Sequence, residues 1–394
     1  MNRIPFENSK FEKVRIRFLI SEKVKSKIQV SEAKSQNEAQ YPFFTSGENI
    51  LSFDKFLCDD ETIFLNTGGN ASVKFYNGKA SYSTDTYAIE SKNQNYCLTK
   101  FLFYCLNDTK FINDTFFEGS ALKHLQKDKF KNFRIPLPPL AEQERIAEFL
   151  DKKCASIDSS IENLEQKTKS LAQYKKALIT QCVTKGLNPK ILEFKDSEIP
   201  WIRQIPKHWE ISKIKYVAKI RSENSSFNAE NDKYIGLENV AGYLNSLIET
   251  NTEYENSIQA VCKKGDILFG KLRPYLSKVI IAPFNCFCSS EFLQFINLKC
   301  YFKFFYYFLL NKNFIENVNS STYGAKMPRA NSNYIMNLNF LVPPLNEQKE
   351  IAEILDKKCK KIDNLSANYK EQIKTLKEYK KALIYECVTG KKQI

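Results

Sequence analysis

Residues Pro138–Thr184, PPLAEQERIAEFLDKKCASIDSSIENLEQKTKSLAQYKKALITQCVT, return 205 residues later and without a gap as Pro343–Thr389, PPLNEQKEIAEILDKKCKKIDNLSANYKEQIKTLKEYKKALIYECVT. Of 47 positions, 27 are identical, among them PPLxEQ, LDKKC, YKKALI and CVT. Solenoid repeats run to about 20–50 residues, so this longer period marks an internal duplication of half the chain. Leu150, Cys154, Ile157, Ile161, Leu164, Leu171, Lys175, Leu178 and Cys182 follow an alternating three-four spacing in the first copy. Leu355, Cys359, Ile362, Tyr369, Ile373, Leu376, Lys380, Leu383 and Cys387 follow it in the second. A 3.5-residue apolar period with charged flanks predicts a coiled-coil helix in each copy. Neither copy contains Gly, and Pro is confined to the opening pair. That pair ends whatever precedes it, and Glu142 and Glu347 then fall in the first turn, where the helix dipole favours acid. Each helix would span roughly 60 Å at about 1.5 Å per residue. A narrow apolar seam needs a partner, and the other copy is the nearest one.

The 394 residues exceed one domain. No apolar run approaches the roughly 20 residues of a membrane span, and the N-terminal MNRIPFENSKFEK has no signal-peptide apolar region. A cytoplasmic chain with its eleven cysteines reduced is expected. Cys154, Cys182, Cys359 and Cys387 lie on the seam as small core residues. Cys286 and Cys288 form a C-x-C without a second ligand pair, so no metal is expected. The net charge of +14 is concentrated outside the helices. Residues 1–141 hold 20 bases against 16 acids and residues 185–346 hold 20 against 14, whereas 142–184 is balanced at seven each. Basic, aromatic-rich regions of this kind suit nucleic acid.

Before the first helix, short runs broken by Gly, Asn, Asp and Ser predict strands at Thr62–Leu65, Ala71–Tyr76 and Tyr82–Ile89. Asn77-Gly78 reads as a hairpin turn. Tyr96–Leu106 predicts a buried helix. Residues 185–208, with Gly186, Pro189, Pro200 and Pro206, read as a connection anchored by Trp201 and Trp209. A second mixed domain follows, with strands at Lys233–Leu237, Asp266–Phe269, Lys278–Ala282 and Phe292–Ile296 and a helix at Tyr301–Leu310. Glu12 and Arg15–Phe18 align with Glu210 and Lys213–Tyr216, and Gly119 aligns with Gly324. The two globular regions are therefore distant copies too. Unlike the helices they have diverged, as two versions of one task would.

Catalytic constellations are missing. Two histidines, His124 and His208, are too few for most general-base schemes, and no G-x-G-x-x-G follows a strand. Gly265–Lys271 satisfies G-x-x-x-x-G-K, but Leu272 replaces the Ser or Thr that would hold Mg²⁺, and Asp266–Phe269 reads as a buried strand. Asp151-Lys-Lys and Asp356-Lys-Lys match a D-x-K fragment but read as a solvated helix face.

Loops after each domain's central strand are dense in groups that bond phosphates and base edges. The first offers Thr67, Asn70, Ser72, Lys74, Tyr76, Lys79, Tyr82 and Thr84, joined by Lys123. The second offers Lys271, Arg273, Tyr275 and Lys278, followed by Tyr323, Lys326 and Arg329. A non-DNA scaffold built on the coiled coil is the alternative reading.

The whole pattern resembles the specificity subunit of type I restriction–modification systems. The resemblance rests on PPLxEQ-x-x-IAxxLD in both helices, YKKALIxxCVT at both ends, Ile205–Glu210, Asp266–Tyr275 and the Gly324-Ala-Lys-Met-Pro-Arg329 segment. In the first domain Phe11-Glu12 stands for Trp209-Glu210, Asn66–Gly69 for Gly-Lys-Leu-Arg, and Ala121–Lys123 for the Ala-Lys-Met segment. The resemblance implies an α+β fold: target recognition domains at 1–137 and 209–342, conserved helices at 138–187 and 343–394 packed as an antiparallel coiled coil, and a linker at 188–208. It also implies a non-catalytic chain that binds double-stranded DNA at a divided target. Two modification subunits and the ATP-dependent restriction subunits would dock on it, and S-adenosylmethionine, ATP and Mg would sit on those partners.

Overall fold

The computed structural model describes residues 6–47, 49–189, 193–250, 252, 254–324 and 326–394. The chain forms two compact units, Met1–Leu164 with Glu371–Ile394, and Glu165–Lys370. The two long helices, Leu140–Lys185 and Leu345–Val388, are each divided between the units. A unit therefore consists of one globular domain plus part of each helix, which the sequential division into domains, helices and linker does not express.

In the first unit a six-stranded sheet runs in the order Ile20–Glu22, Thr86–Ser91, Cys58–Asn66, Val73–Tyr82, Tyr41–Phe44 and Leu51–Phe53. Only the pairing of Tyr41–Phe44 with Val73–Tyr82 is parallel. Ile63, Leu65 and Ile89 of the sheet share a core with Phe101 and Leu102 of the helix Thr99–Cys105. Leu150, Cys154, Ile157 and Ile161 of the first long helix join that core, as do Leu383, Ile384, Cys387 and Val388 of the second. Here the start of one helix meets the end of the other.

The second unit inverts the roles. Leu178, Ile179 and Cys182, from the end of the first helix, share a core with Leu355, Cys359 and Ile362, from the start of the second. The domain contributes Phe269, Phe295, Phe304 and Phe308. Its central sheet orders Lys219–Ile220, Phe292–Ile296, Ile267–Gly270 and Val279–Ile281, all antiparallel. Another sheet orders Asn224–Phe227, Ser257–Cys262, Cys286–Cys288 and Tyr234–Ile235. The fold is mixed α and β with two long helices, and within each unit the helix segments pack antiparallel.

The identical helix residues make identical bonds. Gln143 is fully buried; its amide donates to Pro138 O at 2.8 Å, and its oxygen accepts Leu98 N–H at 2.9 Å. Gln348 does the same with Pro343 O and Tyr301 N–H, each at 2.8 Å. The Gln of PPLxEQ thus ties the first turn of each long helix to its own domain. Asp151 is exposed and Asp356 half-buried, as a solvated helix face requires, but each is also bonded to its own domain. Asp151 accepts the Tyr104 hydroxyl at 2.5 Å and pairs with Lys100 at 3.1 Å. Asp356 accepts the Tyr307 hydroxyl at 2.7 Å and pairs with Lys303 at 2.5 Å.

Three local expectations fail. Asn77 and Gly78 do not turn the chain; they pair with Glu61 and Asp60 inside the longest ladder of the sheet. That ladder keeps the two strands together until the turn at 67–72, because sheet pairing outweighs the local Asn-Gly preference. Tyr82–Ile89 is interrupted at Ser83–Asp85, and Lys233–Leu237 keeps only Tyr234–Ile235 as strand. The 185–208 connection is anchored by Trp201 and Trp209, as expected, and carries structure of its own. Phe194–Asp196 pairs with Gln204–Pro206, and Ile199, Ile202, Ile205 and the fully buried Trp209 enter the second unit's core.

Candidate nucleic-acid interface

Both domains carry the same two-loop frame. In the first, the loop after the strand Cys58–Asn66 is bonded to the segment 119–125. Gly69 N–H donates to Lys123 O at 2.9 Å, and Leu125 N–H donates to Thr67 O at 3.0 Å. In the second, Arg273 N–H donates to Pro328 O at 2.7 Å, and Ala330 N–H donates to Lys271 O at 3.0 Å. A third bond is shared: Thr67 N–H to Asp85 O and Lys271 N–H to Glu291 O, each at 2.9 Å. The tip of each second loop opens on a glycine in the left-handed region, Gly119 (φ +144°) and Gly324 (φ +91°). A Cβ on Gly119 would come within 2.2 Å of Leu122 O, and one on Gly324 within 3.2 Å of Met327 O. Leu122 and Met327 themselves are exposed. Ala325 of the Gly324–Arg329 motif lies outside the described residues.

Frames held by equivalent backbone bonds therefore present different chemistry. Thr67, Gly69, Asp85 and His124 in the first domain occupy the places of Lys271, Arg273, Glu291 and Arg329 in the second. In the second frame Arg329 is ion-paired with Glu291, whose other carboxylate oxygen is buried with no hydrogen-bond partner. Burial pushes the half-buried Lys271 ammonium below its usual pKa, with Glu291 opposing and Arg329 adding to the shift. The first frame is shaped from within by Asn66, 2% exposed. Its side chain donates to Gly68 O at 2.8 Å and to Asn70 O, and accepts Ser72 N–H at 2.7 Å.

The sequence-derived candidates divide accordingly. Asn70, Lys123, Tyr275, Tyr323, Lys326 and Arg329 are exposed on or beside the frames, and Thr67, Ser72, Lys271 and Arg273 are half-buried there. Lys79 is exposed but lies on the sheet, 3.9 Å from Asp59 and over the Phe56 ring. Thr84 is half-buried, its hydroxyl 3.5 Å from Gln29 Oε1. Four candidates turn inward. Tyr82 is 1% exposed and packs on Phe64, and its hydroxyl donates to Val24 O at 2.6 Å. Lys74 straps the carbonyls of Thr45 and Gly47, and Tyr76 packs its ring on Phe44. Lys278 donates to Leu237 O at 2.6 Å. Their alternation along strands placed them beside the loops, but each points toward the protein.

His124, Asp85, Glu291 and Asn66 were missed as site residues. The duplication finds His124, which stands opposite the candidate Arg329, whereas Asp85 and Glu291 stand opposite only each other.

Among the described residues no group of His, Cys, Asp and Glu is arranged to hold a metal ion. Cys262 pairs across the sheet with Cys286, and with Cys288 all three are buried in an apolar cluster. Gly265–Lys271 forms no phosphate cradle, since Ile267–Gly270 is a buried strand between two others, and Asp266 is bonded to Arg221 at 2.8 and 3.1 Å. No helix among the described residues is long and apolar enough to cross a membrane.

Comparison with known proteins matches residues 8–172 and 206–375 to the family model described as the type I restriction modification DNA specificity domain. The chain is 27% identical over 339 residues to the type I restriction enzyme EcoDI specificity subunit of Escherichia coli, covering 80% of this chain and 74% of that one. It is 28% identical over 350 residues to the MjaVIII specificity subunit of Methanocaldococcus jannaschii, covering 84% and 79%. Among solved structures, one from a study of complex assembly and conformational transition of the type I R-M system superposes with a TM-score of 0.67. It covers 96% of this chain and 97% of its own, at 16% identity, which speaks for the fold.

Proposed function

We propose that this chain, which belongs to the family of type I restriction–modification specificity subunits, reads a divided DNA target, one half-site per domain, and docks the subunits that modify and cut it. The observation that carries the reading is the pair of frames: one backbone arrangement, held by three equivalent hydrogen bonds, with unlike side chains on it. Two readers of one build and different chemistry suit a target with two unlike halves. Lys271, Lys326 and Arg329 supply charge for phosphates, and Arg, Asn and Gln side chains read purine edges in the major groove.

The conserved helices act as spacer and docking surface. Their repeated residues are spent on tying helix to domain and helix to helix, through Gln143, Asp151 and Lys175 and through their counterparts Gln348, Asp356 and Lys380. The chain acts as a non-catalytic component. S-adenosylmethionine, ATP and Mg belong to two modification subunits and to the restriction subunits.

The test is selection from a random duplex library by the chain assembled with its modification subunits. Enrichment of two short elements separated by a fixed gap is expected, with affinity falling steeply as salt rises. Enrichment of a single undivided element, or of none, contradicts the proposal.

A further inference from the structure

Arg273 has a left-handed backbone, φ +50° and ψ +62°. That region is unfavourable for an L-residue and is ordinarily left to glycine. The first domain does leave it to glycine: Gly69, at the same place in the frame, has φ +82°. The equivalence rests on the matching bonds from Gly69 N–H to Lys123 O and from Arg273 N–H to Pro328 O. Arg273 carries a second cost, because its Nε is buried with no hydrogen-bond partner. Two unfavourable features meet in one residue, in a loop whose twin avoids the first of them. Strain of this kind collects where a side chain is held for a task, and unpaired buried donors are rare enough to need a reason.

We infer that residues 69 and 273 are one specificity-determining position, and that Arg273 sets the second half-site by donating to the O6 and N7 edge of a guanine. The inference rests on the DNA-reading function proposed above and names the residue and base on which that function turns in the second domain. Arg273 is half-buried between the half-buried Lys271 and the exposed Tyr275; its Nε is buried, so the two terminal Nη groups of the fork would meet the base edge while Lys271 meets phosphate. Arginine paired in two places to guanine is the commonest specific contact in the major groove. The first domain, with Gly69 there, leaves the position silent and reads with its other side chains. Nothing stands within 4 Å of a Cβ added to Gly69, so the first frame has space for a side chain there, carried at the same left-handed backbone strain that Arg273 bears.

The test uses the full chain assembled with its modification subunits, in three variants. R273G should keep the melting temperature at or above that of the wild type, because glycine relieves the left-handed strain. It should bind the selected target about ten- to a hundredfold more weakly, and lose the guanine preference in one half-site only. R273K keeps the charge and loses the fork, so it should bind with the same salt slope but without that preference. G69R should add a base preference to the other half-site and leave the first-named one untouched. If R273G fails to assemble, R273K and G69R decide the matter. Unchanged half-sites in variants that assemble, or changes spread over both halves, overturn the inference while leaving the divided-target reading in place. A wild-type complex that selects no divided target overturns both.

Discussion

Lys175 of the first long helix grips both carboxylate oxygens of Asp363 on the second, at 2.7 and 2.8 Å, and gives its remaining proton to Tyr243 O at 2.7 Å. Lys380 grips Asp158 in the same way, at 2.8 and 2.7 Å. Each helix copy lends its lysine to the aspartate of the other, one pair in each unit. The two pairs differ in burial: the Lys175 side chain is 7% exposed and Lys380 25%, with Asp363 at 36% and Asp158 at 56%. Removing Asp363 strands a buried ammonium, so D363A should cost about 2–3 kcal/mol in denaturant unfolding. D158A, at the wetter pair, should cost about 1 kcal/mol or less and fade with salt. Equal losses would show that burial does not set the strength of these pairs.

Asn66 should matter to folding and recognition together. Its three side-chain hydrogen bonds hold the 67–72 turn from inside, and N66A should cost about 2–3 kcal/mol. Recognition of one half-site should weaken and that of the other should not. Both losses are measurable on one preparation, by unfolding and by selection on divided targets. Normal stability with a disturbed second half-site would contradict the role given to this residue.

Tyr82 tests the correction that turned a DNA candidate into a core residue. Burial raises its phenol to about 12, against an ordinary value near 10. Between about pH 10 and 12 the unfolded chain loses a proton that the folded chain keeps, so stability falls through that window as pH rises. Tyr87, Tyr104, Tyr306 and Tyr307 are raised by burial as well and add to the same decline. Y82F should cost about 1 kcal/mol at neutral pH, through the lost bond to Val24 O. It should make the alkaline decline shallower and leave DNA affinity unchanged. A DNA defect in a stable Y82F chain would restore Tyr82 to the interface.

The long helices were legible because duplication and periodicity gave the same answer twice. Cys154, Cys182, Cys359 and Cys387 are buried as their place on the seam required. The seam is graded, which the pattern could not show: Leu150, Ile157, Leu178, Leu355, Ile362 and Leu383 are buried, whereas Leu164, Leu171, Tyr369, Ile373 and Leu376 are half-buried. Periodicity finds a face but not the domain that covers its ends. Within the domains the sequence pointed to the loops that form the two frames but misjudged the direction of individual side chains, because direction along a strand depends on register, and register depends on partners distant in sequence. Asn77-Gly78 failed for that reason. Asp85 and Glu291 stayed hidden for another: their role comes from backbone bonds to loop residues roughly 20 positions away, which no local pattern encodes.

Leu376, half-buried against the first unit's core, offers a simple check on the seam. L376D places a charge among apolar neighbours and should destabilise by several kcal/mol, seen as a lowered melting temperature and lost assembly with the modification subunits. An unchanged melting temperature would mean that the seam runs elsewhere.

The central claim is a division of labour in which the domains read and the helices measure. The direct measurement is target selection by a chain with one extra heptad in each long helix, inserted after Leu164 and after Lys370 so that the apolar period is kept. Seven residues add about 10 Å, close to three base pairs at about 3.4 Å each. The predicted result is the same two half-sites with the gap lengthened by about three base pairs; an unchanged gap, or altered half-sites, would contradict the account.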